Sequence, residues 1–159
     1  MIDNKFGRRL SVYTAAGWFN TIQAEDITRI ENIIDSRESW LDIKSPRRIF
    51  VCPPDASKEV QESVFQGNLD HIKSADFVLA STVGPKVDVG TVWECGYSFA
   101  VKTPLVYICA NLPKGMAFNL MLARSAIKVC LSYEQLEDYL DRCNAAGEML
   151  YEPYDKEIE

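Results

Sequence analysis

A single histidine among 159 residues leaves this chain poorly equipped for zinc. Its five cysteines, Cys52, Cys95, Cys109, Cys130 and Cys143, are odd in number and form no CxxC pair. A Cys/His metal centre is therefore not expected, and none is assigned. Cys52, Cys109 and Cys130 stand in apolar runs, which predicts buried free thiols in a reducing compartment. Positive charge is also scarce: 17 Lys and Arg face 23 Asp and Glu, a net charge of −6. That argues against a nucleic-acid-binding protein, because gripping a phosphate backbone needs a basic surface. A small phosphorylated ligand, which needs only one local pocket, is not excluded. No apolar run approaches the ~18 residues of a membrane span, and no signal-type segment follows Met1. A cytoplasmic protein without membrane contact is the expectation. The chain has no GxGxxG, GxxxxGK[ST] or GxSxG motif. Dinucleotide binding, P-loop chemistry and the serine-hydrolase elbow thereby lose support.

The composition, 47% apolar and 25% charged, is that of an ordinary globular protein. The length suits one domain spanning residues 1–159, with 151–159 read as an acidic tail. Five short apolar runs read as strands: "RLSVYTAA" (9–16), "RRIFVC" (47–52), "DFVLAST" (76–82), "PLVYICA" (104–110) and "AIKVCL" (126–131). Such runs suit strands buried on both faces. Helical spacing of apolar residues covers 22–38, 58–73, 89–101 and 132–143, the last opened by Ser132 and Gln135 in a capping-box pattern. Over 89–101, Val89, Val92, Trp93, Gly96, Tyr97 and Ala100 share one face, predicted to be the buried one. Strands alternating with helices predict an α/β fold with a parallel sheet and helices on both faces. Ligands of such sheets bind beyond the carboxyl ends of the strands.

Two acids stand at that end. Asp88 precedes the helix at 89–101 and is placed to cap it. Glu94 lies six residues further on, beside the apolar face. Helical side chains lean toward the N-terminus, and Gly90 leaves room there, so the Glu94 carboxylate is expected to point to the ligand end. One carboxylate that attacks an electrophilic carbon, with a second group serving the leaving group, suits glycosidic chemistry and its oxocarbenium-like transition state. The only histidine, His71, reads as a helix-face residue.

The segments "SVYTAAGWFN" (11–20), "GNLDHIKSADFVLA" (67–80), "VDVGTVWECGYSFAVKTPLVYI" (87–108) and "FNLML" (118–122) together resemble the nucleoside 2-deoxyribosyltransferase family. The resemblance implies a flavodoxin-like, five-stranded parallel sheet. It implies Glu94 as the nucleophile that attacks C1′ of a 2′-deoxynucleoside and carries a covalent deoxyribosyl group. Asp88 corresponds to an acid that contacts the base and helps proton transfer. Tyr13 corresponds to a tyrosine that orients the nucleophile. Gly17, Trp18 and Phe19 correspond to a loop over the base, and Gly90 lines the substrate pocket. Asn119 and Met121 correspond to residues that enter a neighbouring subunit's site and hold a sugar hydroxyl, which implies a homo-oligomer. The implied substrates are 2′-deoxynucleosides and free nucleobases, with no cofactor.

The chain departs from the family pattern at base-contacting positions. Asn68 stands where a second acid is common, and an amide cannot supply a proton as an acid does. The usual glutamine of the second-strand loop is absent, with Ser57 nearest. The usual aromatic C-terminus is replaced by the acidic tail, in which Tyr151 and Tyr154 are candidate substitutes. Besides base exchange, the resemblance admits hydrolysis of 2′-deoxynucleoside 5′-monophosphates by the same nucleophile, or a non-catalytic nucleotide sensor.

Overall fold

The computed structural model describes residues 4–84 and 86–159. Its strands are Leu10–Ala16 (β1), Leu41–Lys44 (β2), Phe77–Ser81 (β3), Leu105–Ile108 (β4) and Lys128–Cys130 (β5). They form one sheet in the order β2-β1-β3-β4-β5. All four pairings are parallel. This is the flavodoxin-like order, whose switch point lies between β1 and β3. The helices are Thr21–Asp35 (α1), Pro46–Ile49 (α2), Lys58–Ser74 (α3), Val89–Ala100 (α4), Leu120–Ser125 (α5) and Tyr133–Ala146 (α6).

Two cores cover the two faces of the sheet. On one, Ile27, Ile30, Ile33 and Ile34 of α1 meet Leu136, Tyr139 and Leu140 of α6. On the other, Ile72 of α3, Cys95 of α4 and Ala123 of α5 pack on Tyr13, Val78 and Tyr107. Each fully buried aliphatic side chain contributes roughly 1.5–3 kcal/mol of transfer free energy. Asp26 of α1, buried among the isoleucines, accepts hydrogen bonds from Ser81 (2.7 Å) and Tyr133 and so ties α1 to β3 and α6.

Four expectations from the sequence need correction. The second strand is not "RRIFVC": β2 is "LDIK", and Arg47–Ile49 belongs to α2. β2 is an edge strand whose Asp42 and Lys44 are only half buried, so it lacks the continuous apolar run of an interior strand. The apolar residues after it face outward, Val51 at 84% exposure. Cys52 is accordingly exposed, whereas the other four thiols are buried and free.

The inward face of α4 is the opposite of the one expected. Thr91, Cys95 and Ser98 are buried, while Val89 and Trp93 are exposed. Small side chains at i, i+4 and i+7 let the helix lie close to the sheet. The bulky apolar residues are left outside, where Trp93 stacks on Tyr97 and meets Phe65 of α3.

The segment after residue 150 is docked rather than free. Glu152 accepts from Lys128 (2.9 Å) and Arg142, and those cations hold its carboxyl down at about 2. Tyr154 is buried against Phe118, and Glu157 and Glu159 exchange backbone hydrogen bonds with Phe118.

Candidate active site

The carboxyl ends of β1 and β3 deliver the pieces of one cavity. Its volume is about 250 Å³. β1 contributes Thr14 and Ala16, and the turn after it contributes Trp18 and Phe19. Pro46 opens α2, Asn68 comes from α3, and Asp88, Gly90, Thr91 and Glu94 come from the start of α4. The lean of helical side chains explains Glu94: from the edge of the inward face of α4 it reaches back over the first turn.

Glu94 Oε1 accepts a 2.8 Å hydrogen bond from the hydroxyl of Tyr13, a β1 side chain with no solvent exposure. Burial pushes the Glu94 carboxyl up to about 7; the Tyr13 hydrogen bond pulls the other way, and the nearby charge of Asp88 adds to the rise. Burial, then the charge and hydrogen bond of Glu94, push the Tyr13 hydroxyl far above its usual range. Tyr13 is thus a fixed neutral donor. Partly buried surroundings solvate a carboxylate less well than water does, which strengthens its pull on any cationic centre brought within reach.

Asp88 caps α4. Its Oδ2 accepts from Thr91 N at 2.8 Å and from Thr91 Oγ1 at 2.7 Å. Among the described residues its Oδ1 has no protein partner, so one oxygen remains for a ligand. Gly90 lies against that carboxylate: a Cβ there would stand 3.3 Å from Oδ2.

The covering loop is held by a residue the sequence reading missed. Gln23 of α1 is buried, and its Oε1 accepts from Phe19 N at 3.0 Å. It also packs under Gly17, where a Cβ would come within 2.8 Å of Oε1. Trp18 and Phe19 stack on each other at 5.2 Å and stay partly exposed at the cavity mouth. Thr14 and Pro46 were missed as well; both follow from the end of an element rather than from any side-chain pattern.

Asn119 and Met121 do not reach this cavity. Asn119 caps α5, accepting from Met121 N and Leu122 N, and Met121 is 75% exposed. Asn68 does line the cavity, and its Oδ1 is buried without a partner. Ser57 caps α3 instead of lining the cavity. Among the described residues no group of three or more His, Cys, Asp or Glu is arranged to hold a metal ion. None of the helices described is long and apolar enough to cross a membrane.

The profile of the nucleoside 2-deoxyribosyltransferase family matches residues 12–121. No match is found among curated proteins. Among solved structures, a 2-deoxyribosyltransferase from Bacillus psychrosaccharolyticus is 27% identical, with a TM-score of 0.74, over 91% of this chain and 99% of that one. A 2-deoxyribosyltransferase from Leishmania mexicana superposes with a TM-score of 0.61 at 18% identity, over 84% and 97%. A CMP N-glycosidase from Clostridium botulinum superposes with a TM-score of 0.53 at 17% identity, over 82% and 98%. At these last two identities the likeness is one of fold.

Proposed function

This chain belongs to the nucleoside 2-deoxyribosyltransferase family, and on that premise we propose that it exchanges the base of 2′-deoxynucleosides through a deoxyribosyl group carried on Glu94. The observation that carries the reading is the Tyr13–Glu94 hydrogen bond at the wall of the cavity. It fixes one carboxylate oxygen and orients the group for attack. The ionised carboxylate attacks C1′, the C1′–N bond breaks, and its electron pair stays on the departing ring nitrogen. Asp88, whose Oδ1 has no partner among the described residues, is placed to pass a proton to that nitrogen. A second base then attacks C1′ through its ring nitrogen, gives the proton of that nitrogen to Asp88 and releases Glu94. Trp18 and Phe19 cover the base, and Asn68 meets its edge.

Charge supports a nucleoside over a 5′-phosphorylated substrate. Among the described residues, no lysine or arginine lines the cavity around Glu94. A hydrolase for nucleotides would need a phosphate-binding group there, a role most often filled by a lysine or arginine.

The same reading includes a homo-oligomer in a cytoplasmic salvage role. The outward apolar face of α4, with Trp93 and Phe99 exposed, supports packing against a second copy. Asn119 and Met121, which do not line their own cavity, would then complete a neighbour's.

Incubating the protein with thymidine, with and without adenine, tests the proposal. Deoxyadenosine should form only when both substrates are present, together with thymine in excess of the one equivalent that thymidine alone releases. Free deoxyribose without exchange would favour hydrolysis, and turnover of thymidine 5′-monophosphate in preference to thymidine would overturn the argument from charge.

A further inference from the structure

Beside the cavity at Glu94 lies a second one of about 290 Å³. The two share Trp18, Pro46 and Asn68, so they are halves of one groove with these residues at its waist. The first half alone falls short of the ~300–1,000 Å³ of small-molecule sites, and the joined groove lies within that range. Nothing in the reaction at Glu94 requires the second half.

Its walls say what fits there. Phe50, Pro53 and Val64 make it largely apolar. Among the described residues its one lining cation is Arg47, which is already committed: Nε and Nη2 donate to both oxygens of buried Glu31 at 2.9 and 2.6 Å. Burial opposes ionisation of Glu31, but the hydrogen bonds of Arg47 and Ser45 outweigh it and hold the carboxyl below its usual range. An anion would have to compete with that pair, so the chamber favours an uncharged, apolar group.

The wall is also fixed in place. The Phe50 ring lies so close to α3 that a Cβ on residue 67 would stand 2.5 Å from it. Glycine weakens a helix interior, and here Gly67 is what admits the ring. At the waist, the buried Asn68 Oδ1 has no partner. Leaving such an acceptor unmet is costly, and a ligand N–H would recover that cost.

We propose that the second cavity is the distal half of the base site, taking an apolar substituent on the base edge remote from the glycosidic nitrogen. The inference rests on the deoxyribosyl-transfer reading above. The base lies between Trp18 and Asn68, a secondary exocyclic amine donates to Asn68 Oδ1, and its substituent packs on Phe50 and Val64. A neutral amide suits this waist, because an apolar group would otherwise have to pass a charge that it desolvates.

Cys52 supplies the test, since it lines this cavity and the other four thiols are buried. The wild-type protein is alkylated with iodoacetamide in the presence of adenine, N6-benzyladenine, cytosine or N4-benzylcytosine. A benzylated base at ten times its Kd should slow modification of Cys52 about tenfold, because only the free fraction reacts, and the plain bases should not. In exchange assays from thymidine, Val64→Trp should lower kcat/KM for a benzylated base relative to its plain parent by about tenfold or more. Exchange of plain bases with rejection of both benzylated ones overturns the proposal, as does use of a benzylated base that leaves Cys52 reactive. Protection of Cys52 without exchange of any base would retain the chamber and overturn deoxyribosyl transfer instead.

Discussion

Glutamine at position 94 should make the protein more stable at alkaline pH while removing its chemistry. Burial raises the Glu94 carboxyl from its ordinary 4.5 to about 7. The folded protein therefore holds that proton more tightly than the unfolded chain does. Below the unfolded value both states are protonated and the burial carries no charge penalty. As the pH rises, the unfolded carboxyl ionises first, and stability falls until the pH has passed the folded value. The gap between the two values corresponds to about 3 kcal/mol. Glutamine keeps an oxygen for the Tyr13 hydroxyl and has no charge to desolvate. Urea unfolding should therefore find Glu94→Gln within about 1 kcal/mol of wild type near pH 5, and about 3 kcal/mol more stable near pH 9. Base exchange should fall by about 10³-fold or more, as for loss of a nucleophile. A pH-independent difference between the two proteins would refute the reasoning, and so would a variant less stable than wild type at alkaline pH.

Three further substitutions separate the roles around the cavity. Asp88→Asn keeps a capping side chain, so stability should change by less than about 1 kcal/mol. Exchange from thymidine should drop about 10²–10⁴-fold, while 7-methyl-2′-deoxyguanosine, whose base leaves without protonation, should be spared in single-turnover cleavage. Tyr13→Phe removes the hydrogen bond that lowers the Glu94 value, so the acidic limb of the pH–kcat/KM profile should move to higher pH. Gly17→Ala would drive Gln23 off Phe19 N; KM for the nucleoside should rise several-fold with the Glu94 ionisation unchanged, read from the same profile.

The interior of this fold was legible because β1, β3 and β4 are buried on both faces almost throughout and read as mainly apolar runs. β2 was not, because an edge strand that shows Asp42 and Lys44 alternates, while the stronger apolar run beyond it lines a cavity. The face of α4 was misread for a related reason. Hydrophobicity marks what avoids water, and in a helix packed through Thr91, Cys95 and Ser98 the bulky apolar residues are those left over. The direction of Glu94 survived that error, since it follows from helix geometry and from Gly90 rather than from which face is buried. Docking of the acidic segment was hidden because its partners, Lys128, Arg142 and Phe118, lie far from it in sequence. Pro46, Thr14 and Gln23 reach the cavity or its loop through the fold alone, so no local pattern announced them.

The central claim is a covalent bond between Glu94 and deoxyribose. Mixing the protein with thymidine alone, quenching in acid after a few milliseconds and digesting it isolates the peptide that holds residue 94. The account predicts that this peptide gains the mass of one deoxyribosyl group, with fragmentation placing it on Glu94, and that added adenine removes the group as deoxyadenosine. Exchange of bases with no adduct, or an adduct on any other residue, would contradict it.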